Sequence, residues 1–279
     1  MIRAILSTAF AAVTTGAQAA PLPCQPQSQL DIATIKERVI LVGELHGTNE
    51  MPAFVSGLAC SLLRDGRQVA LSLEVAADVQ PEIERYLVSD GSEAARQPLY
   101  GSSFGRLDDG RGSAAIMEII EQARVLRLAG APITLVATDL RRSQAKVAPG
   151  EKWDPATRDR IMAENIGALA RAKPDAVVLS LSGNAHATRR EGAPYPSLAY
   201  LLAQQMPVHT VGLAHKGGSA WVCTGVMGGK LQCGAHAMSG LGGRMDARGY
   251  DREVKLGGIT ASPPVREGQS ALGRQGGAQ

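Results

Sequence analysis

The sequence predicts an α/β fold: a mixed, largely parallel central sheet flanked by helices, with a C-terminal antiparallel hairpin. Three observations carry that expectation. Apolar, β-branched runs of strand length alternate with segments whose apolar residues recur at helical spacing, which is the pattern of β-α-β crossovers. Runs such as Ala176-Val177-Val178-Leu179 are apolar at every position, as strands covered on both faces require. After His215 the texture changes to two short strand-like runs, Ser219–Gly225 and Lys230–Cys233, about a glycine-rich turn.

The elements follow in order. Val39–Gly43 reads as a strand, Asn49–Arg64 as a helix stopped by Gly66, and Val69–Val75 as a second strand. Gln80–Val88 reads as a helix. Ser113–Leu128 is strongly amphipathic, with Ile116, Ile119, Ile120, Ala123 and Leu126 at helical period. Pro132–Thr138 is a third strand, Pro155–Arg171 a helix, Ala176–Leu181 a fourth strand, Ser197–Gln205 a helix and Val208–Leu213 a fifth strand. Met238–Gly258 is glycine-rich and weakly patterned.

The N-terminus carries a targeting signal. Arg3 precedes an apolar stretch from Ala4 to Val13, and Ala17-Gln18-Ala19 offers small residues where a signal peptidase needs them. Residues 1–19 are therefore expected to be a cleaved signal peptide, 20–262 one domain, and 263–279 a disordered tail of low apolar content. The stretch is too short to span a bilayer, which takes roughly 20 apolar residues, and no later segment is long enough either. The expected location is periplasmic or secreted. In such an oxidising compartment four cysteines favour disulfides. Cys223 and Cys233 flank the turn of the hairpin, which leaves Cys24 to pair with Cys60. A zinc site is disfavoured because the C-x9-C spacing lacks a C-x2-C knuckle. A net charge of +3 with no Lys/Arg cluster along one face excludes a nucleic-acid footprint.

The chemistry lies just past the strands. Val39–Gly43 runs into Glu44-Leu45-His46-Gly47, Val69–Leu73 into Glu74, Ile133–Thr138 into Asp139, and Val177–Ser182 into Gly183-Asn184-Ala185-His186. Four strands thus deliver polar groups to the carboxyl edge of the sheet, where open α/β folds bind ligands. Glu44 and His46 are two apart and share a face in extended backbone. Gly47 permits the turn, and Thr48 or Asn49 can cap the following helix. The N-terminal end of that helix disfavours an imidazolium, so His46 is expected to be a neutral base. Asn184 and His186 repeat the arrangement after Gly183.

Single residues here have ordinary explanations. A lone strand-end histidine is commonly a structural hydrogen-bonder, Glu74 could cap a helix, and Asp139 either pairs with a nearby arginine or reaches the site. Two matched Gly-x-x-His motifs beside Glu44 and Glu74 favour function. His209, His215 and His236 lack such a setting and are expected to be structural or surface residues. Gly101-Ser102-Ser103-Phe104-Gly105 matches the Gly-x-Ser-x-Gly pattern but lacks the strand before and the helix after that a nucleophile elbow needs. The glycines at 225, 228 and 229 lack the context of a phosphate cradle. In Arg158-Asp159-Arg160-Ile161-Met162-Ala163-Glu164-Asn165, Arg160 and Glu164 are spaced as an ion pair, whereas Arg158, Met162 and Asn165 share the other face. Arg158 or Asp159 could lean over the sheet edge.

Gly43–Glu50, Glu74, Arg158–Asn165 and Gly183–His186, taken in order over residues 38–190, resemble the superfamily of erythromycin esterases, ChaN-like haem-binding proteins and Tiki proteases. The resemblance implies an α/β fold with a mixed sheet and a site between the two histidine motifs. In the esterases, a histidine at the position of His46 looks like the base that activates water. In Tiki proteins, the matched histidines and a glutamate, here His46, Glu74 and His186, are thought to serve a divalent metal. ChaN-like proteins bind haem instead. This chain lacks the extra helical lid of the esterases and any clear haem-ligating tyrosine in a matched motif.

The expectation is a periplasmic hydrolase of a small-molecule or peptide substrate. Its catalytic set is His46, Glu44, Glu74 and His186, with Asn184, Asp139 and Arg158 contacting substrate. His46 acts as general base, and His186 stabilises charge or shares a divalent metal with His46 and Glu74. The alternative is a protein that binds haem or another iron ligand, against which the low aromatic content counts. A third reading, an interaction protein with a degenerate site, is disfavoured by the intact Glu44, His46, Glu74 and His186 set.

Overall fold

The computed structural model describes residues 21–141, 143–146, 154–189, 194–227, 230–241 and 249–266. The expected signal peptide, Gly228, Gly229 and the tail beyond Arg266 lie outside the described residues.

The sheet order is β3-β2-β4-β1-β5-β6, with β7 also pairing β5. The central strands are β1 (Val39–Glu44), β2 (Gln68–Ala76), β3 (Ile133–Asp139) and β4 (Ala176–Gly183), joined by parallel ladders. β1 and β4 are buried at every position. Their continuous apolar runs are explained by cover on both faces. The period of two divides each strand between two cores. Ile40 and Val42 join Leu71, Leu73, Leu179 and Leu181 on one face, against α1 (Glu50–Arg64) and α4 (Ala114–Leu128). Val39, Leu41, Ala70 and Val178 face the other way, against α5 (Pro155–Ala172) and α7 (Leu198–Ala203).

The described residues also form α2 (Gln80–Leu87), α3 (Glu93–Gly101), the one-turn α6 (Asn184–Ala187) and β7 (Arg252–Lys255). α3 and β7 have no counterpart in the sequence reading. The fifth strand and the hairpin's first strand are one element, β5 (Val208–Met227). Its first half pairs with β1 in parallel and its second half with β6 (Lys230–Leu241) in antiparallel register. The hairpin is therefore longer than expected and runs eight residues past Cys233.

Both expected disulfides are formed. Cys24–Cys60 ties the N-terminal segment to α1, and Cys223–Cys233 links β5 to β6. Among the described residues no helix is long and apolar enough to cross a membrane.

The boundary expected at Pro263 is corrected. Ala114 donates its backbone N–H to Pro263 O at 2.9 Å, Val265 donates to Gly112 O at 3.0 Å, and the Val265 side chain is buried. The valine has an apolar seat that its surrounding composition does not advertise.

Candidate active site

The four strands that end in polar groups are consecutive in the sheet, so their carboxyl ends form one edge. Glu44 closes β1, and His46 lies on the turn that follows. Gly47 adopts φ +73°, and a Cβ there would meet Trp221 O at 2.1 Å. The turn is held by Trp221 and Ser262, which both donate backbone N–H groups to Gly47 O at 2.8 Å. Asn49 does not cap α1 with its side chain; its amide donates to Thr260 Oγ1 and Ala261 O. Thr48 donates to Leu45 O instead.

Glu74, on β2, is the hub. Its Oε2 accepts the Gly183 N–H at 2.7 Å, and its Oε1 accepts Arg158 Nη2 at 2.6 Å. The same Oε1 lies 3.4 Å from His46 Nε2 and 3.9 Å from His186 Nε2. The two imidazoles therefore face one carboxylate oxygen, each held from behind by another carboxylate. His46 Nδ1 is 2.8 Å from Glu44 Oε1, and His186 Nδ1 is 2.8 Å from Asp159 Oδ1. Asp159 is almost fully buried and also accepts the Leu198 N–H, which fixes its orientation. Gly183 is required by proximity, since a Cβ there would sit 2.8 Å from His46 Nε2.

Arg158 makes a two-pronged contact with Asp139, through Nε at 2.9 Å and Nη2 at 2.7 Å. Arg111, on the loop before α4, reaches Asp139 at 3.1 Å and pairs with Asp109 at 2.6 Å. Asp139 thus takes both roles left open by the sequence: it pairs with arginine and belongs to the cluster. Asn184 is exposed and lines the cleft, and its carbonyl accepts the Tyr250 hydroxyl.

A cleft of about 350 Å³ opens over these groups, lined by Glu44, His46, Asp109, Arg111, Asn184 and His186 among others. A second cleft of about 470 Å³ adjoins it, with Arg111 and Arg158 common to both walls. The sequence reading lacked Arg111 and Asp109 and left Asp159 as a side remark. His209 and His215 make contacts elsewhere, with Glu37 and the Gly217 N–H. Ser103 lies between α3 and a short 3₁₀ turn, with no strand before it, so it is not an elbow nucleophile. Arg160 turns back to Thr157 and Asp154.

The electrostatics correct the expectation of a neutral His46. Burial opposes its charge, but Glu74 and the hydrogen bonds to Glu44 and Glu74 prevail and raise the ring to about 10. Burial likewise opposes ionisation of Glu74, yet His46 and Arg158 hold its carboxyl well below the usual range. Arg158 is raised despite burial by Asp139 and Glu74. Two carboxylates in contact with the ring outweigh a helix that starts four residues later.

The donor set does not fit a divalent cation. Both oxygens of Glu74 are engaged by an arginine and a backbone N–H, and both nitrogens of His46 face carboxylates, whereas a metal needs a free imidazole lone pair. Among the described residues no cluster of three or more His, Cys, Asp or Glu side chains has a metal-binding arrangement. Among the described residues, the lining of the cleft holds no Phe, Tyr or Trp.

No protein-family model and no curated protein matches the sequence. Solved structures do. Erythromycin esterase EreC, as a mutant in its open conformation, superposes with a TM-score of 0.58 at 14% identity, over 73% of this chain and 76% of that one. The chain has the erythromycin esterase fold. A Bacillus cereus protein superposes with a TM-score of 0.60 at 10% identity, over 88% of this chain and 96% of its own. Haem-binding ChaN of Campylobacter jejuni reaches only 0.36 at 13% identity, over 64% of this chain and 82% of its own.

Proposed function

We propose that the protein is an exported, metal-independent hydrolase of a carboxylic ester or amide, in which His186 is the general base and His46 the general acid. One observation carries this reading: the two imidazoles face the same cleft in different surroundings. His46 has carboxylates at both nitrogens and is held protonated. His186 Nδ1 is held by Asp159, while its Nε2, 3.9 Å from Glu74, lies beyond hydrogen-bond reach and is open to a water in the cleft.

Water in the cleft gives its proton to His186 Nε2 as its oxygen attacks the carbonyl carbon. Asp159 steadies the imidazolium that forms. His46 then donates its Nε2 proton to the departing oxygen or nitrogen. This exchanges the roles suggested by likeness to the esterases, because the two carboxylates beside His46 remove its lone pairs. The two disulfides and the leader-like first 19 residues support an extracytoplasmic location. The fold of EreC supports hydrolysis.

The test is turnover of a panel of aryl esters, lactones and peptides by the full chain, with and without a chelator. His186→Ala and His46→Ala are each expected to lower kcat by about 10²–10⁴-fold. Activity is expected to fall on the alkaline side as His46 deprotonates near pH 10. An inert wild type across the panel, or activity abolished by the chelator, would defeat the proposal.

A further inference from the structure

The second cleft has no role in this chemistry, yet its walls are chemically marked. Among the described residues, Arg106, Arg111, Arg141 and Arg158 line it together with a single acid, Asp139. Asp139 is already shared between Arg111 and Arg158, so its charge is spent within the wall. Arg106 and Arg141 are exposed. Ser103 also lines the cleft, although its Oγ is buried from solvent. The rest of the lining is apolar: Ala76, Leu107, Leu140 and Ala145.

We propose that this cleft is a subsite for an anionic group of the substrate, a carboxylate or a phosphate, so that the enzyme acts on esters or amides of acidic compounds. Guanidinium groups recognise these anions through planar, charge-assisted hydrogen bonds. The apolar wall takes the carbon body next to the anion. Arg111 and Arg158 join the subsite to the catalytic cleft, so a molecule anchored at Arg106 and Arg141 extends its scissile bond toward His46 and His186. The substrate assignment rests on the hydrolase reading; anion binding does not.

The two are separated by calorimetric titration of the full chain with inorganic phosphate and with succinate, which needs no turnover. Either anion is expected to bind the wild type. The Arg106→Ala/Arg141→Ala double variant is expected to bind at least about tenfold more weakly, and added salt is expected to weaken wild-type binding. Arg106 donates to Gly101 O, so Arg141→Glu, an exposed charge reversal, serves as the variant that keeps the fold. In the kinetic arm, an aryl hemisuccinate is compared with the aryl acetate. The double variant is expected to raise KM for the hemisuccinate about tenfold relative to the acetate, with kcat little altered. The subsite is disproved if neither anion binds the wild type, or if the variants bind as tightly. Anion binding without turnover of either ester keeps the anion site and removes the hydrolase reading.

Discussion

Replacing Glu74 by Gln tests the electrostatic core of the site without emptying space. The wild-type pH dependence follows from the two shifts. His46 is raised from 6.5 to about 10, so its stabilisation is complete below pH 6.5 and is lost as the pH climbs through 10. Glu74 is depressed, so its contribution is present above 4.5 and is lost as the pH falls toward its folded value. Both shifts contain the same attraction, which counts once. At about 1.4 kcal/mol per pH unit, His46 alone makes the wild type lose about 3 kcal/mol between pH 6.5 and 9. Glu74→Gln removes the charge that contributes most to raising His46 and leaves the Glu44 hydrogen bond, so the loss over that range should shrink to less than half. The variant should also start lower, by about 3 kcal/mol at pH 6, because Arg158 is left with one carboxylate instead of two. Urea unfolding at several pH values measures both. Other titrating groups act on the two proteins alike, so the difference between the curves is the readout. Parallel curves, or a wild type of constant stability from pH 6.5 to 9, would refute the assignment of a charged His46 held by Glu74.

Three further outcomes follow. Gly183→Ala places a methyl group 2.8 Å from His46 Nε2, so kcat/KM should fall by more than about tenfold while stability drops only about 1–3 kcal/mol. Equal activity would mean that the ring position is not critical. Cys24→Ser/Cys60→Ser opens a loop of sequence separation 36 and should cost about 3 kcal/mol in urea unfolding, with unchanged stability as the contrary result. Ending the chain before Pro263 removes a buried valine and two backbone hydrogen bonds. It should lower stability by about 3 kcal/mol, against no change if the segment were a free tail.

The central strands and most helices were legible because their apolar patterns are local and strong. α3 was not, since Pro98 and polar residues break its pattern; its start is fixed by Ser92, which accepts the Ala95 N–H. β7 was hidden in a glycine-rich stretch and owes its place to pairing with β5. Glu44, His46, Glu74 and His186 could be read because each follows a recognisable strand. Arg111 could not, because its loop reaches the site by folding across a distant turn. Asp159 did leave a signal. It stands three, four and seven residues before Met162, Ala163 and Ile166, on the buried face of α5, where an acid needs a partner. The partner is His186.

The charge state of His46 was beyond the sequence for the same physical reason. A helix terminus is a local feature that can be read in order, whereas the carboxylate of Glu74 arrives from another strand. The precision of the site depends on similarly distant ties. A Cβ on Gly110 would meet Gly47 N at 2.4 Å, so the loop bearing Asp109 and Arg111 rests on the turn bearing His46 only because both residues are glycine. The C-terminal segment then clips the pair: Ser262 donates to Gly47 O, and Val265 to Gly112 O. One strand of chain thereby holds the residue after His46 and the residue after Arg111. Ending the chain before Ser262, which removes both ties, should therefore cost activity beyond what its stability loss explains. At a temperature where the truncated protein is still fully folded, kcat/KM should already be reduced; normal turnover there would show that the two loops keep their positions unaided.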